Sequence, residues 1–428
     1  MKNKEQMNTA LSRLPVFGTM FFTLLFSIIG CQEVQKGNYP NAAYNTESPL
    51  MLQGDWFENP HDIKFDLLPK IPYEHAVVSN VQGDNDSLEY TFSGHTLKGG
   101  VNQHNYLTFH ANKFWLMWSD GPGVEDRVGQ VVKYATSLDG LEWTEPKMMT
   151  PYPPNSGPSS EFYNTRNPKG LRWISRGFWH YKGDLLALAS LDEAAGFFGP
   201  SLELRAFKWD EVGETWKDDG LIMDNAINNF PPKKIPSGEL MMSRRGYDYK
   251  EKGVDFMVGG IDGKDSWTVF PVLGTNSELA AEEPYWWVLP DGESLMALFR
   301  DNRQSGYLYR AFSTDNGRSW SKPVQTNFPD ARSKFHGLRL SNGRYVLVSN
   351  PHPKKRDPIA LSISDDGMVF TKMGYLMGGR QIDYPNVIEH EGYILIAFAG
   401  STKQKIEVLK IKISDLDKLD MSDYPNRL

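Results

Sequence analysis

The chain contains a single cysteine, Cys31, in 428 residues. With no second thiol an internal disulfide is excluded, so the fold rests on side-chain packing and backbone pairing. Zinc-type Cys/His spacings are missing, as are a glycine-rich phosphate loop and a Gly-x-Ser-x-Gly elbow. Nothing in the sequence therefore calls for a metal or cofactor. Lys and Arg total 46 against 53 Asp and Glu, a formal charge of −7 with no long basic tract to offset it. That balance argues against a general nucleic-acid binder. The apolar run at residues 14–29 is too short to be a comfortable membrane span.

What is present begins with an export signal. Lys2, Lys4 and Arg13 precede the apolar run, and Ile28-Ile29-Gly30-Cys31 follows it. This tetrad resembles the lipobox of bacterial lipoproteins, which implies that residues 1–30 are a leader and that Cys31 carries a lipid. Residues 31–43 then read as a polar tether, and residues 44–428 as one domain held at the outer membrane or cell surface.

That domain is repetitive. Ser313-Thr-Asp315-Asn-Gly317-Arg-Ser-Trp320 has shorter cousins at Ser137 to Trp143 and Ser364 to Phe370, with degenerate copies ending at Trp216 and Trp267. A short carboxylate bonds the N–H groups of its own turn, glycine takes the positive-φ position, and the aromatic packs beneath. Before each turn, and once after the last, two apolar runs flank a short turn. The inner runs are His104 to His110, Arg176 to Tyr181, Phe230 to Pro236, Pro284 to Leu289, His336 to Leu340 and Tyr384 to Glu389. Hydrophobic content of 40% and 12 Trp suit an aromatic-rich all-β core. A four-stranded unit repeated every 40 to 50 residues or so predicts a β-propeller of four-stranded antiparallel blades. Six blades are legible. The stretch Tyr44 to Gly99, with strands expected at Ala76 to Ser79 and Leu88 to Phe92, favours a seventh, six being the alternative count.

In such a ring the inner strands start, and their partners end, on one rim, while the aspartate turns fall on the other. Asp139, Asp315 and Asp366 are therefore structural. The first rim gathers His104, Arg176, Glu282, Glu283, His336 and Asp383 at strand starts, and Arg244, Arg245 and Arg300 at strand ends. Nearby loops add Tyr163, Tyr247, Lys334 and Arg356. An acidic protein with cations gathered on one rim suits an anionic sugar, because guanidinium binds carboxylate or sulfate bidentately. The bland alternative is that these arginines pair with neighbouring carboxylates and only tie blades together.

The aspartate turns resemble the Asp-box repeats of the sialidase superfamily over residues 100–415. Sialidases are expected to show Arg-Ile-Pro near the first blade, three arginines on the substrate carboxylate and a Tyr–Glu nucleophile pair; this chain offers Lys70-Ile71-Pro72. The run from Glu283 through Phe299-Arg300-Asp301, Tyr309-Arg310, Ser333-Lys334, Gly337 to Gly343 and Asn350-Pro351 is similar to propellers acting on rhamnose-uronate polysaccharides, ulvan lyases and a related α-L-rhamnosidase among them. By order and placement that resemblance makes His104, Tyr163 and Arg176 catalytic candidates, and Tyr247, at another strand end where its phenol could reach the channel, joins them. Arg244, Arg245, Arg300, Lys334 and His336, from the cation-rich rim, are the substrate-binding candidates.

β-Elimination on a uronate accounts for these residue types. Arg176 would neutralise the carboxylate, His104 or Tyr163 would take the C5 proton, and a tyrosine would protonate the departing oxygen. The alternatives are glycoside hydrolysis, which usually wants two carboxylates, and a surface glycan-binding lipoprotein with no catalysis.

Overall fold

The computed structural model describes residues 45–53, 63–82, 89–92, 95–194, 198–273, 279–422 and 424. The leader, Cys31, the tether and Leu88 lie outside them. The expected hairpins are all present, and they build six four-stranded antiparallel sheets rather than seven. In blade 1 the inner pair is Gly100–His110 with Lys113–Pro122, followed by Val131–Ser137 and the short Lys147–Met148. Blade 2 starts at Leu171–Tyr181, blade 3 at Lys233–Lys234, blade 4 at Ala281–Val288, blade 5 at His336–Arg339 and blade 6 at Ile382–His390.

The segment expected to form a seventh blade is used for closure. Glu74–Asn80 pairs antiparallel with Lys405–Lys412 and becomes the fourth strand of blade 6, joining the two ends of the domain. Upstream, Lys70 bridges Tyr375 on the outermost strand of blade 5, Lys372–Met377, and Leu52 bridges Phe370 just before it. An outer edge that would offer unpaired N–H and C=O groups is thereby covered. Glu89–Phe92 does form, but pairs only with His95–Lys98.

The aspartate turns behave as their chemistry requires. Asp315 Oδ1 accepts from Ser313 Oγ at 2.8 Å and from the Ser319 N–H at 2.9 Å, and Trp320 Nε1 donates to the Gly317 carbonyl at 3.0 Å. Asp139 and Asp366 repeat the arrangement. Each closing aromatic also packs on the preceding blade. Trp216 meets Trp115, Trp267 meets Trp179, Trp320 meets Phe256 and Phe370 meets Trp287, with ring centroids 4.8–6.4 Å apart. Gly317, at φ 80°, comes so close to blade 3 that an added Cβ would sit 2.2 Å from Met241 Sδ. The repeated glycine thus serves the blade seam as well as its turn.

Candidate active site

Four inner strands break register at the same rim: between Gln103 and Tyr106, Ser175 and Gly177, Glu282 and Tyr285, and Asp383 and Asn386. At each break one residue has positive φ, namely His104 (51°), Gly177 (110°), Glu283 (49°) and Tyr384 (58°). A bulge re-aims the side chain it carries, and non-glycine residues hold left-handed backbone at a cost of about 1–3 kcal/mol, met by the surrounding structure. His104, Arg176, Glu283 and Tyr384 accordingly line one cavity of about 600 Å³. Because the strands continue through the bulges, blades 1 and 2 begin earlier, at Gly100 and Leu171, than the sequence reading placed them.

The cavity wall is a set of ion pairs. Arg300 Nη1 lies 2.9 Å from Glu283 Oε2, its Nη2 contacts Glu282, and Arg245 Nη1 lies 3.4 Å from Glu282 Oε2. Burial alone would raise the Glu282 carboxyl, but Arg300 and Arg245 outweigh it and bring its pKa to about 2. Arg356 pairs with Asp383, and Lys403 with Glu125. The pairing alternative weighed for the arginines is therefore realised for Arg245, Arg300 and Arg356.

Two arginines of the cavity stand apart. Arg332, at φ 53°, has its carbonyl fixed by Arg300 Nη1 at 3.4 Å and Arg356 Nη2 at 2.8 Å, while its own guanidinium has no hydrogen-bond or ion-pair partner among the described residues. Burial, then Arg356 and Arg300, lower its pKa. Arg176, 1% exposed, bonds Ser190 Oγ through Nε at 2.9 Å, and its Nη1 is buried without a partner. Burial brings its pKa down to about 10.

The His104 ring lies 4.5 Å from that of Tyr384, tilted by 40°, and its Nδ1 is buried without a partner. Desolvation, followed by Arg176, Lys334 and Lys403, holds it well below the ordinary imidazole range. The Tyr384 hydroxyl donates to Glu125 Oε1 at 3.0 Å. Burial would raise Glu125, yet Lys403 and the Tyr384 hydrogen bond bring its pKa below the usual value, keeping it an ionised acceptor. Burial and Glu125 raise the Tyr384 phenol, which is neutral at rest. Asp126, in the same wall, is raised by burial despite its contact with Arg172.

Of the residues singled out from sequence, His104, Arg176, Arg245 and Arg300 meet in the cavity. Lys334, just before the inner strand of blade 5, and His336, its first residue, are buried away from the cavity lining. Lys334 Nζ donates to the Tyr106 hydroxyl at 2.9 Å between the rings of Tyr106 and Phe230, and burial lowers its pKa to about 7. His336 stacks on Phe230, accepts the Val387 N–H at 2.7 Å, and is held neutral by desolvation. Three others do not line the cavity. Tyr163 lays its ring on Gly129, whose added Cβ would sit 2.4 Å from it; Arg244 pairs with Asp255 at 2.5 Å; Tyr247 is 41% exposed beside Asn225. Lys70-Ile71-Pro72 borders blade 5, with Ile71 bonded to Tyr375.

Tyr384, Glu125, Asp126 and Lys403 were missed. Tyr384 was legible by alignment of strand starts, since Gln103-His104-Asn105, Ser175-Arg176-Gly177, Glu282-Glu283-Pro284 and Asp383-Tyr384-Pro385 occupy the same place in their blades. Glu125, Asp126 and Lys403 sit in loops with no repeated signal.

Asp330, buried behind Arg332, has an Oδ1 with no partner, and burial raises its pKa from 3.8 to about 7. Between these values the native protein keeps a proton that the unfolded chain has lost, so stability falls as pH rises across that interval. In urea unfolding, Asp330→Asn is expected to gain on the wild type from pH 4 to 7, by on the order of 2 kcal/mol. An unchanged gap across that range would refute it.

A family model described as a BNR repeat-like domain matches residues 209–396. No curated protein matches the sequence. Among solved structures, a protein of unknown function from Dyadobacter fermentans is 14% identical over 81% of this chain and 100% of its own, with a TM-score of 0.58. The leech intramolecular trans-sialidase is 13% identical over 81% of this chain and 71% of its own, TM-score 0.59. The intramolecular trans-sialidase of Ruminococcus gnavus is 14% identical over 79% and 98%, TM-score 0.59. Such identities speak to the fold. Repeats, aspartate turns and blade architecture together make this chain an Asp-box β-propeller with the fold of the sialidase superfamily.

Proposed function

We propose that the protein is a glycoside hydrolase that removes an acidic sugar from the end of a glycan, with Tyr384 as nucleophile and Glu125 as its base. The observation carrying this reading is the Tyr384–Glu125 hydrogen bond inside a cation-rich cavity. As the phenol oxygen attacks the anomeric carbon, its proton passes to Glu125 and the glycosidic C–O bond breaks. Asp126 supplies the proton to the departing oxygen. Asp126, now a carboxylate, then deprotonates a water that attacks the anomeric carbon, and Glu125 returns its proton to the Tyr384 oxygen as the sugar leaves. A neutral phenol suits a substrate that carries a carboxylate near the reacting carbon, because a carboxylate nucleophile would be repelled. The Arg300, Arg332 and Arg356 wall holds that carboxylate, and the unpaired Arg332 is its first partner. The Tyr–Glu pair is the one that resemblance to sialidases implies, and the named relatives that are trans-sialidases support glycan chemistry on this fold. Export and lipidation at Cys31 would bring the pocket outside the cytoplasm, where such glycans are met.

β-Elimination is the second reading, favoured by His104 lying beside Arg176. It is weakened because an imidazole held well below its usual pKa is a poor base for a carbon-bound proton. Incubation with acidic oligosaccharides separates the readings. New reducing sugar without absorbance near about 235 nm is expected. A rise at that wavelength would establish elimination instead, and binding with neither would leave a glycan-binding protein.

A further inference from the structure

We propose that the pocket floor is a second oxyanion seat built on Arg176, so that the bound sugar carries two anionic groups. This rests on the preceding reading, which gives the first group to the Arg300, Arg332 and Arg356 wall. The second is a carboxylate or a sulfate ester, which share the planar or trigonal oxygen edge that a guanidinium binds.

The argument is one of charge. Apart from Arg332, which the preceding reading gives to the first anion, the other buried or half-buried cations of the cavity, Arg245, Arg300, Arg356 and Lys403, each have a carboxylate. Arg176 has no carboxylate within ion-pair distance among the described residues, Asp192 and Glu283 acting on it only from further off. Its contacts are Ser190 Oγ and the phenol of Tyr106, both neutral, and its Nη1 is buried with nothing to bond. Tyr106 donates to the Asn229 carbonyl at 2.9 Å and accepts from Lys334 at 2.9 Å, so it brings no negative charge to the floor. His104, at the same corner, adds an Nδ1 that also lacks a partner.

A buried guanidinium with no direct ion pair and an unbonded Nη1 is costly, and it persists where a ligand completes it. The backbone is built to present it. Gly177 sits at φ 110° in the bulge, where a Cβ would lie 2.8 Å from Pro231 Cδ, and the Arg176 carbonyl is anchored by Asn228 Nδ2 at 3.0 Å. Because Arg176 and Tyr106 are buried at the floor, attraction to an arriving anion is weakly screened.

Binding of sodium sulfate and of sodium acetate, at constant ionic strength in chloride, tests this by calorimetry and thermal shift on wild type, R176Q, R176K and R332Q. For the wild type, two sites are expected for whichever anion fits both corners. R176Q should lose the floor site, at least about tenfold in affinity, and keep the wall site; R332Q should do the reverse. R176K should keep part of the floor affinity. Without anion, R176Q should melt no lower than wild type, since it removes an unpaired buried charge. The sulfate and acetate arms decide which oxyanion the floor takes. Equal anion binding by R176Q and wild type, or loss of all binding in R332Q alone, would overturn the floor seat. Loss of all binding in R176Q alone would uphold the floor and remove the wall seat, so the two readings fail separately.

Discussion

Tyr384→Phe is expected to lower kcat by on the order of 10⁴-fold while leaving the fold intact. The substitution removes one oxygen. The ring keeps its contact with His104 at 4.5 Å, and Glu125 keeps Lys403, so no buried charge is stranded. Stability should therefore change by no more than about 1 kcal/mol. Glu125→Gln removes the base and keeps the shape, and should produce a comparable loss in turnover. Its partner Lys403 then loses the carboxylate it pairs with, so this variant should also unfold at lower denaturant. Initial rates on the acidic oligosaccharide that the wild type cleaves, with circular dichroism as the control, provide the check. Residual activity in Tyr384→Phe within tenfold of wild type would remove tyrosine from the chemistry and return attention to His104.

The propeller was legible because its signals are local. Ser-x-Asp turns, Asn-Gly hairpins and closing tryptophans each act within a few residues, and the structure shows the same hydrogen bonds in all three full copies. The count of blades was harder to read, since a ring closes by a pairing of residues more than three hundred positions apart, Glu74 with Lys410. Nothing in the composition of Glu74–Asn80 distinguishes a closing strand from the first strand of another blade. The cation-rich rim was likewise legible as a rim, because strand starts and ends alternate predictably. Which arginine stays unpaired was not, for that depends on which side chain each bulge turns inward. Arg244 and Arg245 are neighbours in sequence, yet one faces Asp255 and the other Glu282. Tyr163 looked available in its Pro- and Ser-rich loop, but the loop folds it onto Gly129.

Behind the pocket, Arg172→Met is expected to cost about 3–5 kcal/mol of stability. Arg172 is 1% exposed and joins two carboxylates, with Nε donating to Asp192 Oδ1 at 2.7 Å and Nη1 contacting Asp126. Asp192 is wholly buried, so removal of the guanidinium strips its carboxylate of the cation it is hydrogen-bonded to and leaves only the more distant Arg176. Burial already raises the Asp192 pKa against the pull of Arg172. Without that pull the native state should hold a proton on Asp192 to higher pH. Stability of the variant should then fall as pH rises from about 4 toward neutrality, because the unfolded chain releases that proton first. The double variant Arg172→Met/Asp192→Leu removes both charges and should recover most of the loss, as replacement of a buried ion pair by apolar groups often does. Urea unfolding of both variants at pH 5 and pH 7.5 measures this. Equal stability of Arg172→Met and wild type at the higher pH would mean that the ion chain contributes nothing to the fold. Recovery of stability without recovery of turnover in the double variant is the expected pattern, since Asp126, which shares Arg172, would lose the contact that aims it into the pocket.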